Sequence, residues 1–264
     1  MKIVIQQPKL LDVLNYLYVD GLFPFAIITT KEGKLISSQS DKVQDKGGFA
    51  YRYVQFLPDN FKEISQTQES IKIDVEKVKG FASLRKSDDI ITLEFPSPTA
   101  ANKLLISGGG AKNNIGIVKV DEKDIQTGLP FVMKEKVPYI QKGAVALDTH
   151  VVMSLSSFRT IDAYASKHGT EFYRYQIGKD RKLKVLVGDI KEFEDSTTIE
   201  PTCQVLAVNE ELDVTFTKGI KEITKVFTHD VDICLRSNLP AWFSEVSQSH
   251  RFGVMISPYL KKED

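Results

Sequence analysis

Apolar and polar positions alternate along the chain in short strand-like and helix-like runs, and one such arrangement occurs twice. From Ile71 to Leu93 the period changes twice. Ile71 and Ile73 alternate with Lys72 and Asp74, the two-residue period of a half-buried strand. Val75, Val78, Phe81, Ala82 and Leu84 then recur at three and four. That spacing predicts a helix capped by Asp74, with these five side chains on its buried face. Ser87, Asp88 and Asp89 break the helix, and Ile90-Ile91-Thr92-Leu93 opens a β-branched strand. The same order returns from Leu212 to Leu235. Val78, Phe81, Asp88, Ile91 and Leu93 fall on Ile220, Ile223, Asp230, Ile233 and Leu235 at one constant offset.

The rest of the chain fits around these two units. Residues 1–6 alternate as a strand, and Pro8 opens a helix with Leu10, Leu11, Val13, Leu14 and Leu17 as its stripe and Gly21 as its end. A hairpin is expected over residues 26–38, turning at Glu32-Gly33, with strands following at 49–56, 103–107 and 115–120. Gly108-Gly109-Gly110 separates the last two. A glycine run cradles phosphate between a strand and a helix N-terminus; here a strand follows, so the run reads as a hairpin tip.

The second half opens like the first. A strand over 144–153 precedes a helix from Leu155 to His168 that buries Phe158, Ile161, Tyr164 and Ala165 and ends at Gly169. Strands are expected at 171–177, 183–187, near 198–208, and at 233–236, 241–246 and 252–257. Each half reads as strand, helix and three strands, twice over, a tandem duplication with a weaker one inside each half. The expected fold class is α+β, with two duplicated domains, 1–120 and 144–264. Each carries two helices on one face of antiparallel sheets. Residues 121–143, rich in charge, proline and glycine, read as the interdomain connecting loop, unusual in carrying the apolar Ile125, Leu129, Phe131, Val132 and Met133.

Composition narrows the function. Thirty-five basic residues balance thirty-five acidic ones, so net charge names no partner. Cys203 and Cys234 are too few for a disulfide framework or a zinc site, and both lie in strand patterns that read as core. The opening residues lack the pattern of a signal peptide, and no apolar run approaches a membrane span, so a soluble intracellular protein is expected. His150, His168, His229 and His250 are scattered, and His168 and His250, at element ends, read as surface residues. No catalytic, metal or cofactor constellation is recognisable, and the expectation is that the protein is not an enzyme.

The solvent faces of the four predicted helices carry the positive signal. Lys9 stands against Asp12 on the first. Lys77, Lys79, Arg85 and Lys86 stand against Glu76 on the second, and Arg159, Lys167 and His168 against Asp162 on the third. Lys218, Lys221 and Lys225 stand against Glu222 on the fourth. Cations on several helices of one repeated face suit phosphate, and without interleaved aromatics the contact would be non-specific and salt-sensitive.

Three stretches carry a family resemblance. These are KSDDIITLEF from Lys86 to Phe95, DVDICLRSNLPAWFSEV from Asp230 to Val246, and the ending GVMISPYLKKED. With their order, spacing and duplication, the chain resembles DNA sliding clamps of the proliferating-cell-nuclear-antigen and T-even-phage type over nearly its whole length. The resemblance implies a homotrimeric ring around double-stranded DNA that tethers DNA polymerase and requires a clamp loader, at the site of replication in a prokaryotic or phage-infected cell. It implies phosphate contacts by Lys9, Lys77, Lys79, Arg85, Lys86, Arg159, Lys167, Lys218, Lys221 and Lys225. It implies ring closure through Ile115, Ile117 and Val118 of one subunit and Leu183, Val185 and Val187 of the next. It also implies a partner pocket formed by Ile125, Leu129, Phe131 and Val132 with Ile256, Ser257, Pro258 and Tyr259. An alternative is a clamp-fold scaffold in an open or heteromeric ring serving repair or transcription; a DNA-modifying enzyme is a third.

Overall fold

A computed structural model describes residues 1–19, 22–43, 48–118, 120, 125, 128–129, 131–134, 137–140, 143–170, 172–188, 196–217 and 219–259. The chain divides into two units: Met1–Gln39, Arg52–Gly128 and Ser247–Phe252 form the first, and Ser40–Tyr51, Leu129–Val246 and Gly253–Asp264 the second.

The four helices are α1 (Gln7–Leu17), α2 (Val75–Ser83), α3 (Leu155–His168) and α4 (Ile220–Thr224). Pro8 stands in the first turn of α1, where its missing N–H costs nothing. Asp74 accepts from the Lys77 N–H at 3.1 Å and caps α2. Ser154 does the same for α3 through the Ser157 N–H, and Gly169, at φ 65°, closes it in the left-handed conformation a helix end favours.

In the first unit one sheet runs in the order Glu63–Ile64, Lys2–Gln6, Ile90–Glu94, Lys103–Gly108, Ala111–Gly116. The other orders residues 52–56, 34–39, Phe25–Lys31 and Glu69–Asp74. The two repeats inside the unit exchange strands. Lys2–Gln6, which precedes α1, pairs with Ile90–Glu94, which follows α2, with Ile3 opposite Leu93. Glu69–Asp74, which precedes α2, pairs with Phe25–Lys31, which follows α1, with Ile71 opposite Ile28. The second unit repeats this strand for strand. Thr149–Met153 pairs with Val231–Leu235, and Leu212–Phe216 with Tyr173–Ile177. Cys203–Ala207 takes the edge place of Glu63–Ile64, and Thr197–Ile199 closes the remaining sheet beside Leu183–Val187.

Equivalent positions have equivalent burial: Val78 and Ile220, Phe81 and Ile223, Ile91 and Ile233, and Leu93 and Leu235 are all buried. The cores differ in kind. The first is built mainly from aliphatic side chains such as Ile3, Ile5, Leu10, Val13, Leu14 and Val78. The second stacks Phe158 on Phe227 and Phe243 at 5.7 and 6.0 Å, and Tyr175 on Phe216 at 5.8 Å. The Phe158–Phe227 and Tyr175–Phe216 pairs are edge-to-face, and such pairs add about 0.5–1.5 kcal/mol each beyond their buried area.

Several expectations need correction. Leu84 is not on the buried face of α2; it follows the last helical residue and is 78% exposed. Tyr164 on α3 is exposed too, at 40%, because Ile161 and Ala165 already fill the face toward the sheet. The fourth helix spans one turn and a half. Gly219, at φ 110°, stands where α2 already has Lys77, so the helix begins later. The strand expected at 115–120 is Ala111–Gly116, with Val118 reaching only an isolated bridge to Lys72. His250 is buried, its ring 4.4 Å from that of Tyr16 and its Nδ1 2.9 Å from the Ser247 hydroxyl. Cys203 is half-buried on an edge strand, whereas Cys234 is buried. The stretch read as aperiodic connection carries a small sheet of Val132–Lys134, Val137–Ile140 and Val145–Ala146. Gly21 lies outside the described residues.

Candidate nucleic-acid and partner interfaces

In the first unit α1 and α2 pack side by side, tied by the Gln7 amide donating to the Ala82 carbonyl (3.1 Å) and the Tyr18 hydroxyl donating to Glu76 (2.8 Å). Five candidate phosphate contacts gather here. Lys9 is exposed and donates to the Asp59 carbonyl at 3.0 Å. Lys77 is exposed and pairs with Asp74 at 3.2 Å. Lys79, half-buried, lies 5.7 Å over the Tyr18 ring. Arg85, also half-buried, lies 4.5 Å over the Phe81 ring. Lys86 is exposed, and its backbone N–H is held by Asp89 at 2.9 Å.

The second unit places α3 against α4. Arg159 is exposed and donates to the Phe227 carbonyl at 3.2 Å. Lys167 and Lys225 are exposed and Lys221 is half-buried; Lys218 lies outside the described residues. Lys9, Lys77, Lys79, Arg159, Lys167 and Lys221 therefore stand on the paired helices, whereas Arg85, Lys86 and Lys225 were expected on helix faces and instead follow the last residues of α2 and α4. Contacts with protein acceptors hold a side chain ready without neutralising it fully, since exposed ion pairs contribute at most about 1 kcal/mol.

The partner-pocket residues fall into separate clusters. Phe131 is buried edge-on against Trp242 at 4.9 Å. Trp242 in turn lies flush on the neighbouring strand, where a Cβ at Gly253 would meet its ring carbon at 2.0 Å. Only glycine permits that approach. Val132 and Met133 beyond Phe131 are exposed, at 47% and 41%. Leu129 and Ile125 are half-buried. At the other end Ile256 is buried, while Ser257, Pro258 and Tyr259 are half-buried. Tyr259 donates its N–H to the Thr215 carbonyl at 2.7 Å and stands edge-on to Phe172 at 5.7 Å. Sequence reasoning missed Trp242, Phe172 and Tyr139, over whose ring Lys134 lies at 4.6 Å. The available signal for the first was a lone tryptophan in a strand facing a strand with an internal glycine.

The subunit-closure residues divide. Ala111–Gly116 is a sheet edge, with Ile115 turned into its own core, Ile117 half-buried and Val118 46% exposed. Leu183, Val185 and Val187 do not lie on an edge. They are buried, and their strand pairs with Tyr173–Ile177 on one side and Thr197–Ile199 on the other. Among the described residues that sheet ends at Thr197–Ile199 on one side and, on the other, at Leu212–Phe216, where the Thr215 carbonyl accepts the Tyr259 N–H. The strand expected near 198–208 is two, Thr197–Ile199 and Cys203–Ala207, and alternation does not show that the first lies beside Leu183–Val187.

The two thiols are quiet. Burial, with the nearby Asp232 carboxylate, pushes Cys234 up to about 12, and burial raises Cys203 as well, so neither favours the reactive thiolate at neutral pH. No helix among the described residues is long and apolar enough to cross a membrane.

The sequence matches no protein-family model and no curated protein. Solved structures do match. The proliferating cell nuclear antigen (PCNA) of A. fulgidus, with the C-terminal region of FEN-1 bound, is 17% identical. The match covers 99% of this chain and 99% of that one at a TM-score of 0.73. The PCNA of Entamoeba histolytica is 12% identical, covering 98% of each chain at a TM-score of 0.74. The chain has the sliding-clamp fold. At these identities the clamp likeness rests on architecture: a duplicated α+β unit with few helices on antiparallel sheets, matched end to end.

Proposed function

We propose that this clamp-fold chain is a DNA sliding clamp. It would close into a homotrimeric ring around duplex DNA and tether DNA polymerase and other replication proteins. The observation that carries this is end-to-end likeness to PCNA in a chain whose paired helices bear basic residues in both units. Mobility follows from chemistry. Lysine and arginine held near phosphates bind without reading bases, and a ring restrained by topology needs no tight contact. Closure would pair the open edge Ala111–Gly116 of one subunit with the open edge Thr197–Ile199 of the next, a heterologous contact that repeats around a ring. Thr197–Ile199 is short, one of the ways an exposed edge limits uncontrolled pairing. The relative solved with the C-terminal region of FEN-1 supports a second role, docking partner segments. Here Val132, Met133 and Tyr259 are the accessible apolar positions for it. A clamp loader is required, because a closed ring cannot thread onto circular DNA. Its place of action would be the site of replication inside a prokaryotic or phage-infected cell.

The test has two readouts: native mass, and retention on nicked circular DNA before and after linearisation. The expected result is a trimer that stays on circles and escapes from cut ends. A monomer under all conditions, with no retention on circles, rejects the reading. A ring that forms only with a second, different chain replaces it with a heteromeric scaffold. Reversing Lys77 and Lys221 to Glu should weaken polymerase stimulation while leaving the melting temperature in place; unchanged stimulation would remove these helices from the DNA surface.

A further inference from the structure

Among the ten candidate cations, Arg85 is held in a distinct way. No hydrogen bond or ion pair joins its side chain to any described residue. Its Nε is buried and has no partner in the structure. Its guanidinium covers the Phe81 ring, and its Cδ lies 3.2 Å from where a Cβ on Gly109 would stand. The stem is therefore wedged between a helix and the tip of the hairpin Lys103–Gly108/Ala111–Gly116, with one guanidinium face against an aromatic ring. The residue is only half-buried, so the open part is the outer edge of the guanidinium. Arginine presents paired N–H donors there that match a phosphate. Such a cation is held by packing and makes no ion pair with an acid among the described residues, although Asp89 stands near its stem.

The glycine tip makes this arrangement possible. Gly109 has φ 54°, and a Cβ on it would come within 2.4 Å of Asp89 Oδ2. That same oxygen accepts the Lys86 N–H at 2.9 Å and sets the turn carrying Arg85 and Lys86. Gly110 also has positive φ, at 77°, but a Cβ there would meet nothing within 4 Å. The two glycines share a backbone requirement, and only Gly109 touches the turn.

We propose that Gly109 is a positioning residue for DNA: by leaving room for Asp89 and the Arg85 stem, the hairpin tip presents the Arg85 guanidinium to a phosphate of the duplex. This rests on the sliding-clamp reading and adds to it a division of labour within the basic surface, with Arg85 held by packing where Lys9, Lys77 and Arg159 are held by acceptors.

The experiment measures binding of the full chain to a short linear duplex as a function of salt, alongside thermal melting. Arg85→Ala is expected to reduce the slope of log affinity against log salt by about one, the loss of one phosphate contact. Gly109→Asn keeps a residue that tolerates the left-handed turn but adds a Cβ. It is expected to reproduce most of the Arg85→Ala loss, and to add little to it in the double variant. Gly110→Asn, with the same turn demand, should bind as the parent does. Arg85→Lys keeps the charge but not the ring contact, so it should bind more weakly than the parent even if Gly109→Asn does not fold. Equal losses for Gly109→Asn and Gly110→Asn, or parent-like binding by Arg85→Lys, overturn the positioning role. If Lys167→Ala lowers the salt slope while Arg85→Ala does not, this inference fails and the clamp reading stands. If neither changes binding, this inference fails, and retention on circular DNA decides the clamp reading.

Discussion

Single residues show where the fold tolerates an unmet demand. Tyr175 is fully buried among Phe216 and Phe243, and its hydroxyl has no partner in the structure. A buried, unbonded hydroxyl costs about 1–3 kcal/mol. Tyr175→Phe should therefore leave stability unchanged or raise it by up to about 2 kcal/mol in a urea titration; a clear loss would reveal a partner for the hydroxyl. Asp213 is the opposite case. The Arg174 guanidinium beside it, with the Gln176 amide, holds its carboxyl below the usual aspartate range. A lowered folded value means that its contribution is complete above the ordinary 3.8 and is lost as pH falls through the folded value. The pair is half exposed, so the effect is modest. Asp213→Asn should flatten the acid limb of a stability–pH curve and leave its slope near neutrality unchanged. An acid limb identical to the parent's would mean that Arg174 gives Asp213 nothing.

At the scale of elements, Asp74 serves two ends. It caps α2 and pairs with Lys77. Asp74→Asn keeps a good cap and releases the lysine; Asp74→Ala loses the cap at about 1 kcal/mol. The expected pattern is a lower melting temperature for Ala alone and slightly tighter duplex binding for both. Weaker binding by Asn would place Lys77 away from the DNA. The elements were also where the sequence was most legible. Leu155–His168 was readable end to end, because Phe158, Ile161 and Ala165 keep the helical spacing up to Gly169. The constant offset between the two copies found α4, since Ile220 and Ile223 keep the spacing of Val78 and Phe81. What failed had a local cause. Leu84 keeps helical spacing past the point where the helix stops, so periodicity assigned it a face it does not have. Thr197–Ile199 is too short to alternate, so it merged with Cys203–Ala207 into one expected strand near 198–208, and its place beside Leu183–Val187 was not legible. The cations of the candidate site were legible as a list. That Arg85 stacks on Phe81 beside Gly109 was not, because the glycine approaches from a hairpin distant in sequence.

For the whole molecule, the strand exchange inside each unit has a consequence for how the chain is made. Ile3 lies opposite Ile64 on one side, but its longer pairing, opposite Leu93, exists only once Ile90–Glu94 is made; Val151 likewise meets Val205 first and Ile233 later. A nascent chain can complete the hairpin Phe25–Lys31/Lys34–Val43 early, but its first strand has only the two-residue strand Glu63–Ile64 beside it until most of a unit has left the ribosome. Loop closure over such a span is slow, and the half-made unit exposes an apolar strand meanwhile. A fragment ending before Glu69 should therefore stay unfolded by circular dichroism, and arrest of synthesis there should recruit holdase chaperones. Once residues through Gly116 are present, protection should arrive in a single step for both of the first unit's sheets. Gradual protection, beginning with the α1 repeat alone, would show that half a unit can stand by itself.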